Sequence, residues 1–311
     1  MAVAVAGSRI PGAGGQRVIA PRVLLLTTAH DEARFVDRLV DGVRQQDRLP
    51  DRWVIVDDGS TDATFAALER RVAGLDWVTL LRRTTRPGGL RDPLAAAADA
   101  RALNWALARV DWRAYTHIGK LDADVVLPRG FLASLLAAFA ADPSLGMTGG
   151  ATTERHGDGW RRVRQPVTHA PPLARLYSLP CFEACGGFRE RLGWDTIDEV
   201  YARMRGYSTR LAADAPVRHL RAHGSADGRL RGCARHGACA WIAHYPPLFV
   251  LLRGLKVGAT FRPPGLSGLA FLGGYVAAAV RAVPRVEDPM FRRFIRGELR
   301  ARVWAAAVRR A

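Results

Sequence analysis

Lysine is nearly absent from this chain: two of its 46 basic residues are lysine and the rest arginine. Acidic residues are few as well, 29, which leaves a formal net charge of +17 over 311 residues. Such an excess asks for a polyanionic partner: nucleic acid, an anionic membrane surface or a phosphorylated substrate. Zinc-finger spacings, a helix-turn-helix and regularly placed stacking aromatics are all missing, which argues against nucleic acid. Only four cysteines occur, Cys181, Cys185, Cys233 and Cys239. No two of them form a C-x₂-C pair, so even with His236 they do not read as a zinc knuckle, and reduced thiols are the expectation. No hydrophobic run is long enough for a confident membrane span. The best candidate, residues 266–280, is 15 residues, or ~22 Å as a helix against a hydrocarbon core of ~30 Å. The first residues, "MAVAVAGSRIPGAGGQR", lack the positive start and apolar stretch of a signal peptide and read as a flexible tail over residues 1–19.

What is present is a globular composition, 49% hydrophobic and 24% charged, with a regular alternation from Pro21 onward. "RVLLLTT" has strand length, and Phe35, Leu39, Val40 and Val43 then recur at helical spacing. "RWVIVDDGS", "WVTLLRR" and "YTHIGKLDAD" are further strands, each followed by a helical segment, and "GMTGGATTE" is a fifth. Alternating apolar strands and helices predict an α/β domain, residues 20–225, built on a mostly parallel sheet flanked by helices. Ligands of such sheets bind beyond the carboxyl ends of the strands. Here those ends carry "AHDE", "VDDGS" and "LDAD".

Two carboxylates one residue apart, Asp122 and Asp124, repel each other unless a cation sits between them. They form either a solvated turn or a site for a metal and a diphosphate. Mg²⁺ or Mn²⁺ suits the second reading, because it prefers hard carboxylate oxygens and needs only one or two of them beside substrate oxygens. Asp57 and Asp58 either cap the next helix or accept hydrogen bonds from a nucleoside. A second acidic cluster, Asp195, Asp198 and Glu199, lies at the start of a helix whose apolar face is Ile197, Val200, Tyr201 and Met204. It is either a favourable helix terminus or the place of a catalytic base.

Taken in order, "LLLTTAHDEARFV", "WVIVDDGSTDAT", "IGKLDADVVLP" and "CGGFRERLGWDTIDEVYARMRGYST" resemble a family 2 glycosyltransferase of the GT-A fold, of the membrane-associated bacterial type. The resemblance covers roughly residues 20–225. It implies a metal-dependent, inverting transfer of a sugar from a nucleotide-diphosphate donor to a glycan or lipid-linked acceptor. By resemblance Asp124 binds the metal, Asp122 the ribose or the metal through water, and His219 is a further metal ligand, with His223 a weaker candidate. Ala29, Glu32, Asp57 and Asp58 line the nucleoside pocket. Asp195 falls on the family's catalytic aspartate, with Asp198 one turn away as the alternative base. Gly186 and Gly187 let the backbone approach the sugar. The chain departs from the pattern twice: it has "TAHDE" where Pro-Ala-Tyr-Asn-Glu is common, and Trp194 where a glutamate usually stands.

Residues 226–311 hold 15 basic and 4 acidic residues together with the longest uncharged stretches. Basic and apolar together predict a helical, membrane-associating region, with "DPMFRRFIRGELRARVWAAAVRR" as a surface-lying amphipathic helix and Leu266–Val280 as an interfacial or re-entrant segment. The predicted location is therefore the cytoplasmic face of the cell membrane, peripheral or re-entrant. Two rivals remain at this stage. "GAGGQRVIAP" is similar to the Gly-rich loop of sugar nucleotidylyltransferases, although it precedes the first convincing strand. A nucleotide-sugar-binding protein without catalysis would need the acidic helix to be inert.

Overall fold

The computed structural model describes residues 20–84, 96–156, 158–221 and 228–308. The expected tail over residues 1–19, the "GAGGQRV" segment and His223 lie outside these. The first half of the chain alternates strand and helix as β1 (Val23–Ala29), α1 (Val36–Arg44), β2 (Arg52–Asp57), α2 (Thr64–Val72), β3 (Val78–Arg82), α3 (Ala98–Leu107) and β4 (His117–Leu121). These four strands lie in the order β3-β2-β1-β4, all parallel. Their side chains alternate between two cores. Leu24, Leu26, Val54 and Val56 face α3 on one side, while Val23, Leu25, Trp53 and Ile55 face α1 on the other. A strand covered on both faces must be apolar throughout, which is why "VLLLTTA" shows no polar alternation.

The rest of the sheet is mixed, and only its "GMTGGATTE" strand was legible in the sequence. After a two-residue strand β5 (Val125–Val126) and α4 (Phe131–Ala141) come β6 (Leu145–His156), β7 (Gly159–Arg162) and β8 (Ala174–Ser178). Helices α5 (Leu179–Cys185) and α6 (Trp194–Met204) precede β9 (Ser208–His219). The order continues β4-β8-β6-β9-β5, with β8 antiparallel to both neighbours and β6 parallel to β9. One consequence matters for the site. Val125 pairs with His219, and the amide of Leu220 donates to the carbonyl of Asp124 at 2.8 Å. The "LDAD" turn is thereby tied to the end of β9.

The C-terminal region is helical, as expected: α7 (Arg229–Ile242), α8 (Pro247–Thr260), α9 (Leu266–Val280) and α10 (Pro289–Val308). The role predicted for α10 needs correction. Its apolar stripe, Phe291, Ile295 and Leu299, is buried in the same core as α6, and Phe291 packs on Tyr201 with ring centroids 5.0 Å apart. Here amphipathicity serves docking onto α6. The apolar surface left open belongs to α8, through Leu248, Leu251, Leu252 and Leu255, and to α9, through Leu266, Leu269, Val276 and Val280. No helix among the described residues is long and apolar enough to cross a membrane.

Helices α7 and α9 cross in backbone contact. A Cβ at Gly237 would lie 1.9 Å from the carbonyl oxygen of Phe271, and one at Gly274 1.9 Å from that of Ala234. Gly237→Ala must push the helices apart, and a loss of about 1–3 kcal/mol is expected from such overpacking. Urea denaturation measures it; an unchanged midpoint would show that the crossing yields freely.

Candidate active site

The carboxyl ends of β1, β2 and β4 bring the predicted acidic clusters to one edge. Ala29 closes β1 and is buried. Asp57 closes β2 and is fully buried, yet neither carboxylate oxygen has a hydrogen-bond partner among the described residues. Among the described residues its ion-pair neighbour is Arg82, at 3.7 Å. Leaving such a group unsatisfied costs on the order of 1–3 kcal/mol, which marks a place where a ligand donor belongs. Asp58 is occupied differently: Arg83 Nη1 donates to it at 3.0 Å.

Around "LDAD", Leu121, Ala123 and Val125 are buried while Asp122 and Asp124 are partly exposed. The period-two alternation therefore continues through the turn and puts both carboxylates on one side. Asp122 is ion-paired to Lys120, whose ammonium also donates to the carbonyl of Pro172 at 3.0 Å. Burial, which Lys120 only partly offsets, pushes Asp122 up to about 6. For Lys120 burial acts downward, but Asp122, Asp99 and Asp195 prevail and hold it above its ordinary value. This buried lysine thus lies within the field of both the Asp122 end and the Asp195 end of the site.

Asp124 faces His219 with Oδ2 and Nε2 3.3 Å apart, and the other ring nitrogen is 3.9 Å from Glu154. Burial opposes a charge on His219, but hydrogen bonds to Asp124 and Glu154 raise it to about 9. Arg221 lies between Asp124, at 3.4 Å, and Glu32, with which it forms an ion pair. Burial raises Glu32 to about 7 against the pull of Arg221. Among the described residues no group of three or more His, Cys, Asp or Glu could hold a metal ion by itself. The Asp124–His219 pair nevertheless fits a divalent cation that displaces the imidazole proton and completes its shell with substrate oxygens, because a carboxylate oxygen and a neutral imidazole nitrogen are both suitable donors and already converge.

Helix α6 is where the acidic cluster divides. Asp195, in its first turn, is half-buried. Asp198, the alternative base, is 1% exposed and its carboxylate is fully engaged. Arg175 Nη1 lies 3.0 Å from both of its oxygens, the Tyr177 hydroxyl donates to it, and the Glu199 amide donates at 2.6 Å. Sealed in this way, Asp198 holds α6 in place and cannot serve an acceptor. Glu199 is likewise bound, accepting from the amide of Ala170 at 2.7 Å and facing His169. Arg175 also donates to the carbonyl of Asp195 at 2.9 Å, so this one buried guanidinium orients the first turn of α6. Gly186 and Gly187 have a simpler explanation than closeness to a sugar. Both have positive φ, 78° and 67°, and Gly186 caps α5.

Arg175 and Arg221 escaped the sequence reading because neither belongs to a motif, and Lys120 and Glu154 because, though each lies within a quoted strand, no spacing marks it. Arg175 and Tyr177 sit on β8, "ARLYS", a strand with no continuous apolar run to mark it. Removing one partner of a buried ion pair strands the other, at a cost of about 3–5 kcal/mol. Arg175→Met is expected to lose that much in chemical denaturation, and Arg175→Met/Asp198→Asn to recover part of it. Equal losses for the single and double variants would show that the pair is not what anchors α6.

Residues 25–189 match the family described as Glycosyl transferase family 2. Among solved structures, the mannosyltransferase PcManGT from Pyrobaculum calidifontis, in complex with GDP-Man and Mn2+, is similar over 94% of this chain and 81% of its own, with 21% identity and a TM-score of 0.54. TarS from S. aureus is similar over 85% of this chain but 44% of its own length, with 13% identity and a TM-score of 0.50. At these identities the likeness is one of fold, the GT-A sheet with its flanking helices. No curated protein matches.

Proposed function

We propose, from the premise that the chain belongs to glycosyl transferase family 2, that it transfers a sugar from a nucleotide-diphosphate donor to an acceptor hydroxyl by a single inverting displacement at a membrane surface. The observation that carries this reading is the convergence of Asp57, Glu32, Asp122, Asp124 and His219 on one sheet edge, with Asp124 and His219 3.3 Å apart.

Each residue then has a task. The unsatisfied carboxylate of Asp57 accepts N–H groups of the base, and Asp58 and Glu32 shape the same pocket beyond β1 and β2. Asp122, held by Lys120, receives the ribose. Asp124 and His219 would hold Mg²⁺ or Mn²⁺, which when bound offsets the charge of the departing diphosphate. Lys120 and Arg221 add fixed positive charge at the same edge, where charge develops as the diphosphate leaves. On the other side Asp195, oriented through its carbonyl by Arg175, accepts the proton of the attacking hydroxyl. Attack from the face opposite the diphosphate inverts the anomeric carbon.

The acceptor is a lipid-linked or other glycan presented at a membrane. Support comes from the open leucine and valine surface of α8 and α9 and from the 15 basic residues among the last 86, a pairing suited to anionic bilayers. This reading puts the enzyme peripherally on the cytoplasmic face. Proton NMR of the first product formed from an α-linked donor tests the mechanism: a β-anomer is expected, and retention of the α configuration would remove Asp195 from its role as base.

A further inference from the structure

A cavity among the described residues lies away from the acidic edge. It has a volume of about 980 Å³ and lies between the loop that leads into α6, helices α7 and α9, and the segment joining α9 to α10. Seven arginines line it against three carboxylates. Two of those carboxylates are already engaged: Glu190 is ion-paired with Arg101, itself one of the seven, and Asp288 caps the start of α10 through the amides of Met290 and Phe291. Among the described residues no carboxylate lies at ion-pair distance from Arg189, Arg191, Arg281 or Arg285. Arg191 instead donates to the carbonyl of Pro284 at 2.7 Å, and Arg285 lies over the Trp241 ring at 3.2 Å. Burial, and then the neighbouring Arg189, pull Arg191 below the usual arginine value. A concentration of cations of this kind asks for an anion.

The other wall of the cavity is apolar and narrow-sided. Ala270, Gly274, Ala277 and Ala278 of α9 face it. The adjoining stripe of α9, residues 266, 269, 273, 276 and 280, is exposed and apolar. Gly273 belongs to both stripes: it lines the cavity, and a Cβ placed there would meet nothing within 4 Å. The cavity therefore opens, at a glycine, onto the apolar surface formed by α8 and α9.

We infer that this cavity binds the phosphate head of a lipid whose chain enters past Gly273 from the α8–α9 surface. Guanidinium groups pair bidentately with phosphate oxygens, and the volume is that of a small-molecule site. The loop lining the cavity through Arg189, Arg191 and Leu192 runs directly into Asp195. A lipid phosphate held there would be the acceptor or its carrier end. That last assignment rests on the transfer reading above, whereas the binding itself does not.

The test is calorimetric titration of the full chain with geranyl phosphate, inorganic phosphate and dihexanoylphosphatidylcholine, with donor turnover measured on the same preparation. Burial of each methylene is worth about fourfold in affinity, so geranyl phosphate should bind at least tenfold more tightly than inorganic phosphate, and more tightly than the zwitterionic lipid. Arg231→Ser/Arg281→Ser, both exposed at the rim, should weaken geranyl phosphate about tenfold. Gly273→Leu, which favours the helix and touches no arginine, should abolish the preference for geranyl phosphate over inorganic phosphate and leave the latter unchanged. Equal binding of the two phosphates by the wild type, or equal binding of geranyl phosphate and the phosphatidylcholine, overturns the inference. So does a Gly273→Leu protein that keeps the preference. A preparation that turns over donor yet ignores geranyl phosphate sinks the cavity assignment alone. One that binds geranyl phosphate without using any donor sinks the transfer reading alone.

Discussion

Asp124→Asn is expected to reduce sugar transfer roughly a thousandfold while the protein stays folded. The carboxylate is one of two donors that converge where a divalent cation would sit, 3.3 Å from His219. Lewis-acid stabilisation of a leaving diphosphate is worth several kcal/mol, and each 1.36 kcal/mol is about tenfold in rate. Asparagine keeps the shape and the backbone bond from Leu220 to residue 124, so the loss should appear in turnover and in metal affinity rather than in melting. Excess chelator should reproduce it in the wild type, with recovery on adding Mn²⁺ or Mg²⁺. A variant that remains fully active, or a wild type indifferent to chelator, would mean that the Asp124–His219 pair is an ordinary buried hydrogen bond.

Asp195→Asn should cut turnover by about 10²–10⁴-fold, the range for loss of a general base, with donor binding nearly unchanged. The contrast with Asp198 makes the result interpretable. Asp198 is sealed against Arg175 and Tyr177, so Asp198→Asn should act chiefly on stability. Asp195 makes its visible bond through its carbonyl, which asparagine retains. If Asp195→Asn lowers the denaturation midpoint and turnover falls only in proportion to the unfolded fraction, the residue is structural. Rates measured well below the melting range separate the two cases.

The parallel half of the sheet was legible because each of β1, β2, β3 and β4 is a short apolar run followed by a helical period, and buried parallel strands need that pattern. The edge chemistry was legible for the same reason, since acidic residues that interrupt an apolar run stand out. Recognition failed where burial and polarity coincide. Arg175 and Tyr177 occupy the centre of the sheet on β8, and no local pattern marks an arginine whose partner, Asp198, lies 23 residues away. The three acids at the head of α6 carry no sign of which is sealed, because the neighbours that decide this come from β8 and from residues 169–170. The tail shows a different limit. Both α9 and α10 are amphipathic or apolar in sequence, and only packing reveals that α10 spends its stripe on Tyr201 while α8 and α9 leave theirs open.

The central claim is that this chain releases a nucleoside diphosphate from a sugar donor in a metal-dependent reaction at the β1–β2–β4 edge. The most direct measurement is a donor screen: nucleoside diphosphate release from UDP-, GDP- and dTDP-sugars with Mn²⁺, with Mg²⁺ and with excess chelator, for the wild type and Asp124→Asn. Release from at least one donor, dependent on the cation and lost in the variant, is the predicted result. Equal release with and without chelator, or equal release by wild type and variant, would contradict it.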